Sequence, residues 1–522
     1  MVSETMSLSG RIEGGYDAVV IGANVDGLAA ACYLARHKLR TILIDANVEV
    51  GGAIKKRPFG DGAEAIDGPL LATHLDPAMI EDLELYRFGL EYAARRLESV
   101  YLFENGETLS FDGDLVRTGA DLETQDPGVS GFINSLLSDG ANLRRYTQDS
   151  LSAIKHSNQK GKTQSPDGMI KPADSLFNIV NDHLSDRQLR SVFACEGALS
   201  AGVPLHEPFS ASALAHRFAG EVAGLAGACA YPAGGMTTVI EALRRAVQAA
   251  GVDIRTLSDI QSILIERDGV AGISLGKGGQ VRAPIVISAV DAHTTFIDYI
   301  GAGYLDAGFQ QAVMAKPPSY MSARMNVTLK GAPSDEVTRA LMRKRLVLAL
   351  SPATLRESFI AARQGDIPGA VMVEAIFPEN LSDQASASSA IIADTEPMIT
   401  AHAHPFPFIA DPTPQERTQV TQAILKALSA FIPGLDNKVE RHDVRFPSDF
   451  MDSGLAQHSM LSAKPSIAAQ LALAKVTSGA DEIRGLYFCG REARLGDDVC
   501  GMAARVAAKR ALTDVRNGKF ST

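Results

Sequence analysis

Tryptophan is absent from this 522-residue chain, and cysteine occurs only five times, at Cys32, Cys195, Cys229, Cys489 and Cys500, never as a Cys-x-x-Cys pair. Scattered single thiols argue against a structural zinc site and against a disulfide-framed secreted domain, so no metal site is expected. Runs of Lys and Arg are also missing. With a formal net charge of −11, the chain offers no clustered basic surface for a phosphate backbone, which excludes nucleic acid as its main partner. No apolar run reaches the roughly 20 residues of a membrane-spanning helix, and the opening MVSETMSLSGRIEGG lacks the basic-then-apolar layout of a secretory leader. A cytoplasmic location is the expectation, with peripheral membrane contact through a loop or short helix left open. What is present is a 46% apolar share, enough for well-buried cores, and a length that suits two or three domains.

From Tyr16 to Asp45 the chain reads as strand, glycine turn, helix, strand: YDAVVIG is β-branched, GLAAACYLARHKL is rich in Ala and Leu, and RTILID is β-branched again. The turn residues in SVYLFENGETLSFDGD predict hairpin strands near 99–114. Residues 153–172 and 382–397 are polar or small-residue segments and are expected to be loops. TTVIEALRRAVQAAGVDI predicts an amphipathic helix followed by a strand, IQSILIERDGVAGISL and QVRAPIVISAV predict further strands, and residues 412–431 predict a helix. RGLYFCG closes the pattern as a strand before a terminal helix.

The first chemistry-bearing motif is Gly22-Ala23-Asn24-Val25-Asp26-Gly27, between a predicted strand and a predicted helix, with Asp45 at the end of the next strand. Gly22 permits the tight turn and Gly27 lets the helix pack on the sheet. The helix N-terminus offers N–H groups and a partial positive charge to a pyrophosphate, and Asp45 is placed to accept from an adenosine ribose. Asn24 stands where a dinucleotide fingerprint carries its second glycine, and its side chain is expected to crowd that approach.

Glu49-Val50-Gly51-Gly52-Ala53 comes next, and with it the chain resembles the phytoene desaturase-like branch of FAD-dependent amine oxidase-type oxidoreductases, of the pyridine nucleotide-disulfide oxidoreductase domain-containing type. YPAGGM (231–236), VISAVDAHTTF (286–296), FPSDFMDSGL (446–455) and GLYFCGREARLGDDVCGMAARVAAKRAL (485–512) extend the likeness over most of the chain in the family's order. The resemblance implies FAD as cofactor. It implies that Gly22, Asn24, Gly27, Asp45, Gly51 and Gly52 face its ADP half, that Ile260 meets the adenine through its backbone, and that Gly490, Gly496 and Val499 approach the pyrophosphate and flavin. Asp26 and the pair Asp497-Asp498 depart from the family pattern by adding carboxylates near an anionic cofactor. Asp498 is expected to cap a terminal helix that starts near Val499 and to compete with the flavin for its N–H groups.

The implied fold is α/β. A discontinuous Rossmann-type FAD-binding domain is expected from residues 14–75, 220–300 and 440–520, with an α+β substrate domain from 76–219 and 301–439. The implied activity is removal of a hydride from a C–H bond of an apolar, polyene- or lipid-like substrate, with the electron acceptor open and no catalytic side chain assigned. Phe359, Ile360, Phe406 and Phe408 are candidates for an apolar tunnel or for ordinary core. Two alternatives stay open: a flavoprotein-fold binding or scaffold protein with weakened or lost FAD, and an FAD-dependent isomerase without net redox change. Gly272-Ile273-Ser274-Leu275-Gly276 fits a nucleophile-elbow pattern, but a turn into another strand follows, so Ser274 reads as hairpin structure. His402 and His404 read as polar surface on a loop, and Cys500 as an inert buried thiol.

Overall fold

A computed structural model describes residues 15–60, 64–153, 168–171, 174–201, 204–208, 210–305, 307–314, 320–331, 336–382, 397–409, 411–446, 449, 483–493 and 501–520. Its first layer is a five-stranded parallel sheet in the order Asp253–Arg255, Thr41–Ile44, Ala18–Ile21, Ile285–Ser288, Leu486–Phe488. The three central strands are AVVI, TILI and IVIS, and every residue in them is buried. Continuous β-branched runs of this kind are what a parallel sheet covered on both faces requires. The helix Val25–Arg36 packs against both Thr237–Ala249 and Met502–Arg516. Its run of Ala29, Ala30 and Ala31, all fully buried, provides small side chains for that close approach. An antiparallel sheet of Ile260–Glu266, Gly269–Leu275 and Gln280–Arg282 adds to the same core. Ser274 lies in its middle strand, with its hydroxyl 2.7 Å from that of Ser262, as the hairpin reading expects.

The second layer is a seven-stranded mixed sheet in the order Val439–Arg445, Tyr320–Leu329, Met398–Pro407, Met372–Ile376, Arg345–Ala349, Ser99–Phe103, Thr108–Phe111. All its pairs are antiparallel except Arg345–Ala349 with Ser99–Phe103. Because side chains alternate across a strand, its two faces have separate cores. Val100, Leu102, Leu346, Val373, Ala401 and Met325 pack with Val420 and Ile424 of the helix Pro414–Ser429. Tyr101, Phe103, Val347 and Met372 pack with helical residues such as Leu136, Phe193 and Leu214. The architecture is the expected α/β fold with a Rossmann-type sheet and an α+β second part.

Four expectations need correction or placement. Val439–Arg445 falls beyond the expected boundary at 440, yet it pairs with Tyr320–Leu329 in the second sheet. Its alternating exposure follows from successive side chains pointing to opposite faces of the sheet. The terminal helix begins at Met502, and its N-cap position is Gly501 at φ 76°, so the cap falls to a residue without a side chain rather than to Asp498. The expected loop at 153–172 lies largely outside the described residues, and its end is not open coil: the Ile170 N–H donates to Asp139 Oδ2 at 2.8 Å. The loop expected at 382–397 also lies mostly outside them.

Candidate functional site

In an open parallel sheet, ligands bind beyond the carboxyl ends of the strands, where the strand order reverses direction. Here that point falls between Ala18–Ile21 and Ile285–Ser288, and three chain segments meet there. Gly22 leaves the first strand at φ 92°, and a Cβ on it would stand 2.9 Å from Val290 Cγ1. A Cβ on Gly490, beyond the strand Leu486–Phe488, would collide with the Val290 carbonyl oxygen. Gly27 faces the Gly22 carbonyl so closely that no side chain fits. Gly22 is thus required by its positive φ and the nearby Val290 side chain, and Gly27 and Gly490 by close approach of backbone carbonyls; the glycine turn at the start of a helix fits a dinucleotide pyrophosphate.

Asn24 is held by the turn itself. Its Oδ1 accepts from the Gly27 N–H at 3.0 Å and its Nδ2 donates to the Ala289 carbonyl at 2.7 Å, so the side chain caps the helix and ties it to the neighbouring strand. Asp26 is buried in the first helical turn, where the helix dipole favours an acid. Asp45, 4% exposed, accepts from the Ala23 N–H at 2.5 Å and from the Asn47 backbone and side chain at 2.7 and 2.8 Å. A carboxylate has about four acceptor positions, so Asp45 holds the glycine turn and retains room for one further donor such as a ribose hydroxyl. The Gly51 N–H donates to the Ala23 carbonyl at 2.7 Å, and a Cβ on Gly52 would stand 2.8 Å from Asn24 Cβ. Ile260 opens the neighbouring antiparallel sheet, opposite Leu275. The structure therefore gathers Gly22, Asn24, Gly27, Asp45, Gly51, Gly52 and Gly490 around one crevice. Gly496, Asp497, Asp498, Val499 and Cys500 lie outside the described residues.

The second sheet carries charges that sequence reading missed. Glu196, 1% exposed, accepts from Arg345 Nη1 at 2.5 Å, Arg217 Nε at 2.7 Å and the Tyr101 hydroxyl at 2.9 Å. Arg345 Nε also reaches Glu374 at 2.6 Å. Burial alone would raise the Glu196 carboxyl, but the two guanidiniums outweigh it and hold it at about 2. Asp67, fully buried, pairs with Arg57 and Arg445 at 3.2 and 3.1 Å.

His402 and His404 are not loop surface. Both belong to the strand Met398–Pro407, opposite Arg324 and Glu374 for His402 and Met372 for His404. Burial pushes His404 down to about 4, and burial together with Arg324 and His404 pushes His402 well below its usual value. The period-two alternation of Thr400, His402 and His404 against Ile399, Ala401 and Ala403 is the signal that marks a strand here. The four tunnel candidates do not come together: Phe359 belongs to the core on one face of the second sheet and Phe406 to the core on the other, Phe408 packs at the edge of the latter, and Ile360 is 44% exposed.

A parallel sheet with a glycine cradle at its switch point, closed by a strand from the far end of the chain and joined to a second mixed sheet, defines a two-part flavoprotein. The family model described as flavin containing amine oxidoreductase matches residues 27–295, and the chain belongs to that family. It is an FAD-dependent oxidoreductase. The pyridine nucleotide-disulfide oxidoreductase domain-containing protein 2 of Rattus norvegicus is 23% identical to it, over 98% of this chain and 95% of the relative. The neurosporene-forming phytoene desaturase of Rhodobacter capsulatus is 26% identical over 55% of each chain. Among solved structures, a putrescine oxidase variant covers 96% of this chain and 99% of its own at TM-score 0.61 and 16% identity. Cyclohexylamine oxidase from Brevibacterium oxydans covers 97% and 100% at TM-score 0.58 and 15% identity. These two likenesses speak for the fold. Among the described residues no helix is long and apolar enough to cross a membrane.

Proposed function

We propose that the protein is a desaturase- or dehydrogenase-like oxidoreductase that removes a hydride from a C–H bond of an apolar, polyene- or lipid-like substrate. The glycine turn at Gly22, opening the helix Val25–Arg36 at the switch point of the parallel sheet, supports the cofactor half of this reading. Support for the substrate comes from relatives whose names specify polyene substrates, the phytoene desaturase already described and a carotenoid 3,4-desaturase of Haloarcula japonica, 23% identical over 49% of this chain and 52% of its own.

FAD, when bound, supplies a two-electron acceptor for hydride. Gly22, Asn24 and the helix they open would hold its pyrophosphate, and Asp45 would take a ribose hydroxyl while bracing the turn. His404, buried, and His402, partly exposed beside Arg324, both have pKa values lowered from 6.5 and stay neutral at pH 7, so neither delivers a cationic proton donor to the substrate. The test is anaerobic: polyenes and acyl compounds in liposomes are mixed with the purified holoprotein and the visible flavin absorbance is followed. Bleaching by these compounds supports the reading. Bleaching confined to small water-soluble amines refutes it.

A further inference from the structure

Arg324 lies in the middle of the second sheet, 2% exposed, and its bonding differs from that of every other buried arginine in the sheet. Its guanidinium donates to the carbonyls of Ile66 and Gly68, and its Nη1 lies 3.0 Å from His402 Nε2. Its Nε, buried, has no hydrogen-bond partner. Arg57 and Arg445 share Asp67, Arg57 also reaches Asp443 at 2.5 Å, and Arg345 and Arg217 share Glu196. Among the described residues no carboxylate forms an ion pair with Arg324. A buried cation with no carboxylate in contact is expensive unless something supplies the charge; burial depresses its pKa to about 10, and Asp67, which attracts it from beyond contact, is already shared by Arg57 and Arg445.

The same contact fixes the state of His402. Arginine has donors only, so Nε2 of the ring accepts and the ring proton sits on Nδ1. Nδ1 has no partner among the described residues, and His402 is partly exposed. Glu374, its cross-strand neighbour, is already held by Arg345 at 2.6 Å. The result is an N–H donor on a partly exposed ring, backed by a guanidinium with no carboxylate in contact, beside the hairpin that leaves Gly51-Gly52. We propose that this pair is a subsite for a carboxylate terminus of the substrate, with His402 as the binding residue and Arg324 as the positioning residue behind it. The substrate class becomes an acidic lipid-like molecule, and cationic amines are disfavoured. The proposal takes the apolar chain from the proposed function and supplies the head group itself.

The experiment is calorimetric titration of the FAD-loaded protein with butanoate, butylamine, octanoate and octylamine. A charge-assisted hydrogen bond predicts carboxylates binding at least about tenfold tighter than amines of equal length. His402→Leu should abolish that preference. His402→Asn should keep it, because the amide oxygen can accept from Arg324 while its N–H donates. Arg324→Gln should also abolish it, and if that variant does not fold the His402 pair decides the matter. Amines binding as tightly as carboxylates, a preference unchanged in His402→Leu, or no binding of any probe overturns the subsite. A carboxylate preference with no gain from the longer chain upholds the subsite and removes the apolar-substrate reading instead.

Discussion

Glu196 is the residue on which the second sheet's buried charges converge, and its protonation links the molecule to pH. Its folded carboxyl is held at about 2, below its ordinary value of 4.5. Its stabilising contribution is therefore complete above the unfolded value and is lost as pH falls toward 2. A shift of that size corresponds to a contribution on the order of 3 kcal/mol. Denaturant unfolding measured between pH 5 and pH 2 should show stability falling, and Glu196→Gln should flatten that part of the curve. The same substitution at pH 7 leaves Arg217 and Arg345 short of a counter-ion, and a loss of about 3–5 kcal/mol is expected. His404 acts in a different window. Its folded value of about 4 lies below the ordinary 6.5, so the unfolded chain takes up the proton first and stability falls from pH 6.5 toward pH 4. His402 is lowered in the same direction, so His404→Phe should reduce that slope without abolishing it, and an unchanged slope would assign it to other groups. Asp45→Ala removes acceptors from Ala23 and Asn47, so both melting temperature and FAD content should drop; a variant with unaltered FAD content would separate Asp45 from the site.

At the scale of elements, the glycine turn and the helix Val25–Arg36 behave as one unit. Asn24 caps that helix, so Asn24→Ala should cost about 0.5–2 kcal/mol, read as a lower melting temperature, without any gain in FAD affinity. A gain would restore the idea that the side chain crowds the cofactor. Gly490→Ala places a methyl group against the Val290 carbonyl, and flavin content should fall because Val290 also borders Gly22. This unit was legible in the sequence because its determinants are local: β-branched runs, glycines at fixed offsets and an acid ending the next strand. The polar face of the second sheet was not. Arg57, Asp67, Tyr101, Glu196, Arg217, Arg324, Arg345 and His402 come from segments far apart in the chain, and no local spacing announces that they meet. His402 and His404 were misread for a related reason. Histidines followed by prolines look like a surface turn until the segment is known to pair with the strands Tyr320–Leu329 and Met372–Ile376 on either side.

For the whole molecule, charged and helical contacts hold the two layers together. Arg57 in the hairpin after Gly51-Gly52 reaches Asp443 on the edge strand of the second sheet, and the terminal helix Met502–Arg516 packs against the helix Val129–Ala153. FAD held at the switch point would meet the glycine turn near the start of the chain and the strand ends beside it, so binding should stabilise the fold, by about 2.7 kcal/mol at free FAD a hundredfold above its dissociation constant. The most direct measurement of the central claim is the visible spectrum of the purified protein, with identification of the cofactor released on denaturation, for the parent chain and for Gly22→Val. The parent is predicted to be yellow and to release FAD, while Gly22→Val, whose side chain would meet Val290 at a strained φ of 92°, should fold on its parallel sheet but lose the colour. A parent chain that cannot be loaded with FAD, or a Gly22→Val variant that retains it at parental affinity, would contradict the account.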